Sequence, residues 1–297
     1  MDAHGKYPLT YEKQVTLLKE RGLSIPSHEE AVRFFSTVSY YRFIAYCIPF
    51  QRPGNTFINN TSFEQIVQLY RLDEALRNAC MAQLSAIEIF MRTRIVYELS
   101  HGWGAFAHCD QNLFRSSFDL AVWTKTLEDE TKRARETFIE QYKLNHSGYP
   151  RLPLWMACEV MSLGQLSRLY GGLLPDPQRK IGNVFSVHHS VLRNWLHFIT
   201  YLRNICAHHG RLWNREFAIR PDIPHKAQDW QRIGLDNQRF FAAAVVLDSV
   251  CREAGLSLKK SQTLYEVMDK ICGMDHRFYS MMGVPAGREI GMHWEML

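Results

Sequence analysis

"FEQIVQLYRLDEALRNACMAQLSAIEIFMRTRIVYEL", residues 63 to 99, contains neither glycine nor proline. Its apolar positions Ile66, Leu69, Leu76, Cys80, Leu84, Ile87, Met91 and Ile95 recur at helical spacing, and a turn of about 100° per residue gathers them into one stripe. The preceding "NNTSFEQ" holds two overlapping capping boxes, Thr61 with Glu64 and Ser62 with Gln65, so a long helix is predicted to start there. Two acids, Asp73 and Glu88, fall on or beside the stripe.

Working outward, capping residues and apolar periodicity predict further helices at 10–21, 27–47, 111–145, 153–174, 188–209, 236–254 and 258–272. Strand alternation is absent. The breaks carry glycine and proline: "PFQRPGN" at 49–55, "HSGYPRLP" at 146–153, "GGLLPDPQRKIG" at 171–182 and "RPDIP" at 220–224. The expected fold is therefore all-α. No internal repeat or long linker separates the segments, which divide into an N-terminal helical arm over 1–60, a helical bundle domain over 61–275 and a C-terminal tail over 276–297 packed on the bundle.

Lys and Arg outnumber Asp and Glu by 35 to 30, an excess that permits contact with a polyanion without requiring one. The seven cysteines show no CxxC pair and no framework spacing, and read as reduced core residues of a cytoplasmic protein. The N-terminus lacks the layout of a signal peptide, and the longest apolar run, "FFAAAVVL" at 240–247, is too short to span a bilayer. No membrane association is expected. Neither "CAHH" at 206–209, "VHH" at 187–189 nor "AHC" at 107–109 forms a recognised metal-ligand spacing, so no metal and no cofactor is expected. Nucleotide-hydrolase and esterase loops are missing as well.

The stretch that asks for chemistry is "YLRNICAHHGRLWNR", residues 201 to 215. On the helix ending there, Leu192, Trp195, Leu196, Ile199, Leu202 and Cys206 share one face, and Arg203 lands on it. Burying a guanidinium is costly without a carboxylate or several acceptors, so Arg203 implies a partner. Glu88 and Asp73 are the candidates, and the apolar context "SAIEIFMR" favours Glu88. His208 projects about 140° from Arg203, whereas Asn204 and His208 stack four apart. Arg203 and His208 meet if the helix loosens near Gly210, a natural C′ residue, or if two copies come together across a two-fold axis. The second arrangement is preferred.

"RNICAH", Arg203 to His208, resembles the RNxxxH form of the HEPN nuclease signature, and the wider stretch resembles the corresponding segment of bacterial abortive-infection (Abi) proteins of the AbiD/AbiF type. "EKQVTLLKERGLSI" at 12–25, "YYRFIAYCIPF" at 40–50, "LYRLDEALRNACMAQLSAIEIFMRTRI" at 69–95 and "LPLWMACEVMSLGQLSRLY" at 152–170 resemble blocks of that family in the same order. The resemblance implies a HEPN-like helical homodimer that cleaves RNA without metal in anti-phage defence. Arg203 and His208 are then the signature residues, with Asn204 assisting. His209 satisfies a five-residue gap as His208 satisfies a four-residue one, which leaves the acting imidazole open.

The chemistry asks for these residue types in its own right. Attack by an RNA 2′-hydroxyl on its neighbouring phosphate needs a base, an acid for the departing 5′-oxygen and a cation for the charge on the phosphorane. Imidazole serves either proton transfer near neutral pH, and arginine offers a permanent charge with a donor fork matched to phosphate. Arg211 and Arg215 are candidate RNA contacts, while Trp213 is expected to pack over the helix end. "YYRFIAYCIPF" is read as core of the arm, and "KTLEDETKRARE" at 125–136 as a solvated face. Two other readings stand beside the nuclease: a catalytically inactive RNA-binding or sensor module of a defence or toxin-antitoxin system, and a helical protein that dimerises on a protein partner. A toxic nuclease also implies a restraining RNA or protein.

Overall fold

The computed structural model describes residues 7–224, 228–256, 259–287 and 290 of the chain. Residues 288, 289 and 291–297 of the expected C-terminal tail lie outside the described residues. Among those described, the chain forms fourteen α-helices, and its only strand-like features are three isolated bridges. The all-α expectation holds. Two compact units result, Met1–Ala75 and Leu76–Leu297, and the division falls inside the long helix first recognised in the sequence.

In the first unit, α1 (Tyr11–Glu20), α2 (His28–Thr37) and α3 (Tyr40–Cys47) precede the start of α4 (Phe63–Trp103). Where one helix was expected over 27–47 there are two. The Ser39 hydroxyl accepts from Arg42 N–H (3.4 Å) and caps a new helix after extended Val38. Phe34 meets Phe35, Phe43, Phe63 and Tyr70 edge to face at 5.4–5.8 Å, an arrangement aromatic quadrupoles favour. Phe43, Tyr46, Cys47 and Phe50 of the aromatic block are buried, as core packing requires. Asp73, fully buried on α4, accepts a 2.5 Å hydrogen bond from the Tyr46 hydroxyl, which accounts for a carboxylate on that stripe.

The second unit contains the rest of α4 and α5 (Leu120–Arg133), α6 (Thr137–Asn145), α7 (Leu154–Val160), α8 (Leu163–Gly172), α9 (Pro175–Val184), α10 (His189–Ala207), α11 (Gln228–Ile233), α12 (Phe240–Glu253), α13 (Lys259–Cys272) and α14 (Arg277–Met282). The eight stripe positions of α4, in both units, are all fully buried. The expected 153–174 helix breaks at Met161, because Ser162 and Gln165 form a capping box that starts α8. The expected 111–145 helix begins only at Leu120, capped by Asp119, and breaks again between Arg133 and Thr137. The segment read as a break at 171–182 mostly forms α9, whose prolines sit in its first turn, where a missing N–H costs nothing. Such differences share one cause: a cap or an N-terminal proline restarts a helix within a segment whose overall pattern hides the boundary.

Six of the seven cysteines are buried and all are free thiols. Among the described residues no helix is long and apolar enough to cross a membrane. The ion pairs Lys125–Asp129, Lys132–Asp129 and Arg133–Glu130 on α5 are solvent-facing, as the mixed charges of that segment suggested.

Candidate functional site

The C-terminal half of α10 approaches α4 at two places. Cys206 hydrogen-bonds the fully buried Cys80, and this contact together with burial pushes the Cys80 thiol well up. Three residues earlier on α10, Arg203 Nε lies 3.9 Å from Glu88 Oε2, eight residues further along α4. The structure thus selects Glu88, not Asp73, as the carboxylate facing Arg203. The pair is longer than a hydrogen bond, since Glu88 has a nearer partner that the sequence reading missed.

That partner is Arg92, whose Nη2 donates to Glu88 Oε1 at 2.9 Å. Arg92 Nη1 donates to the carbonyls of Cys158 and Met161, the latter at 2.8 Å, and so fastens α4 to the junction between α7 and α8. Glu88 therefore stands between two guanidiniums. The i, i+4 spacing of Glu88 and Arg92 was the available signal, and it is a favourable order on a helix. Arg203 keeps a 27% exposed side chain, and its Nε is buried without a hydrogen bond. The guanidinium is thus oriented by the Glu88 charge and remains partly exposed.

α10 stays regular to Ala207, with His208 as C-cap. His209 N–H bonds Cys206 O (3.0 Å) and Gly210 N–H bonds Ile205 O (2.8 Å), the two closures of a Schellman motif. The left-handed C′ residue is His209, with φ of 55°, and not Gly210 as the sequence suggested. Gly210 is needed for a different reason: a Cβ there would lie 2.9 Å from Ile205 Cγ2 and 3.1 Å from Ile205 O. The helix does not loosen, so Arg203 and His208 of one chain still project about 140° apart. Asn204, His208 and His209 are exposed at the end of the helix.

The segment that follows is fastened down. Trp213 is fully buried and meets Phe278 of α14 at 5.0 Å, so its observed role is core packing. Arg211 lies over the Trp213 ring (5.9 Å), and Arg215 Nη1 donates to Arg211 O (3.1 Å), which leaves both arginines half-buried. Arg239 clamps Asn214 and Glu216 at 3.1 and 2.8 Å. Among the described residues, no group of three or more His, Cys, Asp or Glu is placed to hold a metal ion.

Comparison with family models matches residues 33–214, more than half of the chain, to a family described as Abi-like protein. The chain belongs to this family. Membership points to abortive-infection defence, and the matched span takes in Glu88, Arg92, Arg203, Asn204, His208, His209 and Arg211 while stopping one residue short of Arg215. Comparison with curated proteins and with solved structures gives no match.

Proposed function

We propose that this Abi-like protein is a metal-independent endoribonuclease of the HEPN type, acting in bacterial abortive infection through a composite site at the α10 ends of a homodimer. The reading rests above all on Arg203, a guanidinium paired with Glu88 and still partly exposed, about one and a half helical turns before two exposed imidazoles. In the proposed step, a histidine takes the proton from the 2′-hydroxyl and the new O2′–P bond forms. Arg203 stabilises the charged phosphorane, and the P–O5′ bond breaks as an imidazolium delivers a proton to the leaving oxygen. The products are a 2′,3′-cyclic phosphate and a 5′-hydroxyl. One helix directs Arg203 and His208 apart, and a second copy across a two-fold axis supplies the missing approach. Asn204 is assigned to support His208, and Arg211 and Arg215 to backbone contact.

Purified wild-type protein is expected to cut RNA in EDTA and leave cyclic phosphate ends, with Arg203→Ala and His208→Ala inactive but folded. Activity abolished by chelator and restored by a divalent ion would overturn this mechanism. The angular separation of Arg203 and His208 favours a second reading, an inactive RNA-binding module. Wild type that binds RNA but never cuts it would establish that reading instead.

A further inference from the structure

The opposite end of α10 carries a second group of cations, drawn from three parts of the chain. Arg115 precedes α5, Arg179 lies on α9, and His188, His189 and Arg193 begin α10. A buried network holds them in place. The Tyr170 hydroxyl reaches the carbonyls of Gln178 (3.0 Å) and His189 (3.3 Å), and Gln178 Nε2 donates to Tyr170 O (2.8 Å). Gln178 Oε1 in turn accepts from Arg115 Nη2 at 3.2 Å, while Arg115 Nε donates to Leu173 O at 3.0 Å. Gly182 allows the α9–α10 turn to close, since a Cβ there would lie 3.2 Å from His189 Cα.

These contacts fix the arginine of the network without neutralising it, because a carbonyl and an amide oxygen carry no net charge. Among the described residues, Arg115 and Arg193 have no ion-pair partner, and Arg179 pairs only with exposed Asp176. Glu253 reaches the same turn through Ser186 Oγ at 3.0 Å. Lys180 adds a further cation over the Trp103 ring (5.1 Å). Burial lowers the His189 imidazole, and the surrounding charges that lower it further are His188, Arg179, Arg193 and Arg115, with no acid among them. The local potential is therefore positive, and the positive end of a nineteen-residue helix adds to it.

The two ends of α10 are joined by a polar, exposed ridge. Arg193, His197, Asn204 and His208 are all exposed, and helical geometry places them within about 60° of one another. From Arg193 to His208 the ridge runs about 23 Å, or some seven steps of a stacked nucleic-acid strand at ~3.4 Å each.

We infer that Arg115, Arg179, Arg193, His188 and His189 form a distal anchor for the RNA phosphate backbone, with the exposed ridge of α10 leading the strand from it to His208. The assignment rests on the RNA reading above, and makes the substrate a strand of at least about seven nucleotides whose remote phosphates supply affinity. The anchor reads charge and not base.

The test uses full-length protein carrying Arg203→Ala, so that bound RNA stays intact, and fluorescent single-stranded RNAs of four and fifteen nucleotides. The added pair Arg179→Glu and Arg193→Glu, both solvent-facing, is expected to weaken fifteen-nucleotide binding by at least about tenfold at low salt. The slope of log K against log salt falls by about 1.4 as two phosphate contacts are lost. Binding of the four-nucleotide RNA, which fits on the anchor without spanning the ridge, is weak in both proteins and falls in the same direction. The neutral pair Arg179→Gln and Arg193→Gln gives an intermediate loss, and unchanged circular dichroism and melting confirm the fold. Fifteen-nucleotide RNA that binds no more tightly than four, or an unchanged salt slope, overturns the anchor and its ridge. If the Arg203-intact protein cleaves RNA while the charge reversals leave binding untouched, only the anchor fails. Anchor-dependent binding without any cleavage sinks the nuclease reading alone.

Discussion

At the C-terminal end of α10, Arg203 faces a carboxylate that a second arginine, Arg92, holds from the other side; at the N-terminal end, Arg115 is held by uncharged oxygens and Arg193 projects into solvent. The same residue type thus occurs in two electrostatic settings at the two ends of one helix. A guanidinium with a fixed counter-charge has a defined direction and a limited pull on distant anions. One held by neutral acceptors keeps its full charge for a ligand, at the cost of repulsion among its neighbours. The difference separates two tasks: placing a group at the scissile phosphate, and drawing in the rest of the strand.

The largest effect expected from this division belongs to Arg203. Arg203→Ala is expected to reduce RNA cleavage about 10²- to 10³-fold, the range seen when one preorganised donor to a developing oxyanion is removed. Arg203→Lys restores little, because a point charge does not reproduce the donor fork. Single-turnover cleavage of a labelled RNA measures both. Equal activity of Arg203→Lys and wild type would break the contrast, since charge alone would then suffice at both ends.

The next effect tests whether Glu88 is a positioning residue. Glu88→Gln preserves shape but leaves Arg92 and Arg203 facing a neutral group, and kcat is expected to fall about 10- to 100-fold through misplacement of the guanidinium. KM for RNA should hold, because the exposed cations are untouched. A purely structural role would instead lower the melting temperature and leave kcat unchanged.

His108 supplies a histidine against which the exposed pair can be judged. It is 2% exposed, and burial, reinforced by the nearby Arg151, lowers its imidazole from 6.5 to about 4. The unfolded chain therefore binds the proton more readily than the native one. Stability from this group is complete above pH 6.5 and is lost as pH falls toward 4, amounting to about 2 kcal/mol by pH 5. Urea melts at pH 5 and 7 measure the loss, and His108→Phe should reduce the difference by about that amount. A mutant with the same pH dependence as wild type would show that some other group sets it.

Much of this was legible in the chain because burial leaves periodic traces. Eight apolar positions of α4 announced its stripe, and the cost of burying a cation announced that Arg203 needed Glu88. Arg92 escaped notice because its main acceptors are the carbonyls of Cys158 and Met161, more than sixty residues away and without any side-chain signature. The distal cations escaped for a related reason. Arg115 lies more than sixty residues before Arg179, and its bonds to Leu173 and Gln178, with the packing of α9 beside α10, gather it with Arg179 and Arg193. Since α9 hid behind its prolines, its arginine could not be placed.

Gly210 shows a subtler error, and the smallest predicted effect follows from it. Glycine after a helix suggests a left-handed residue, yet here the motif closes one position earlier and gives that conformation to His209. A side chain in this region costs about 1–2 kcal/mol that glycine avoids, while glycine loses part of the gain to the freedom of its unfolded chain. His209→Gly and His209→Ala remove the same imidazole and whatever it touches, so their difference isolates the backbone. The glycine variant is expected to be more stable by about 1 kcal/mol, read from denaturant midpoints. Cleavage separates the histidines in the same pair of proteins: a left-handed residue kept only to close the helix leaves both variants active, whereas a catalytic His209 makes both inactive regardless of the gain in stability. Loss of activity in both, with His208→Ala still active, would transfer the proton-transfer role to the strained residue.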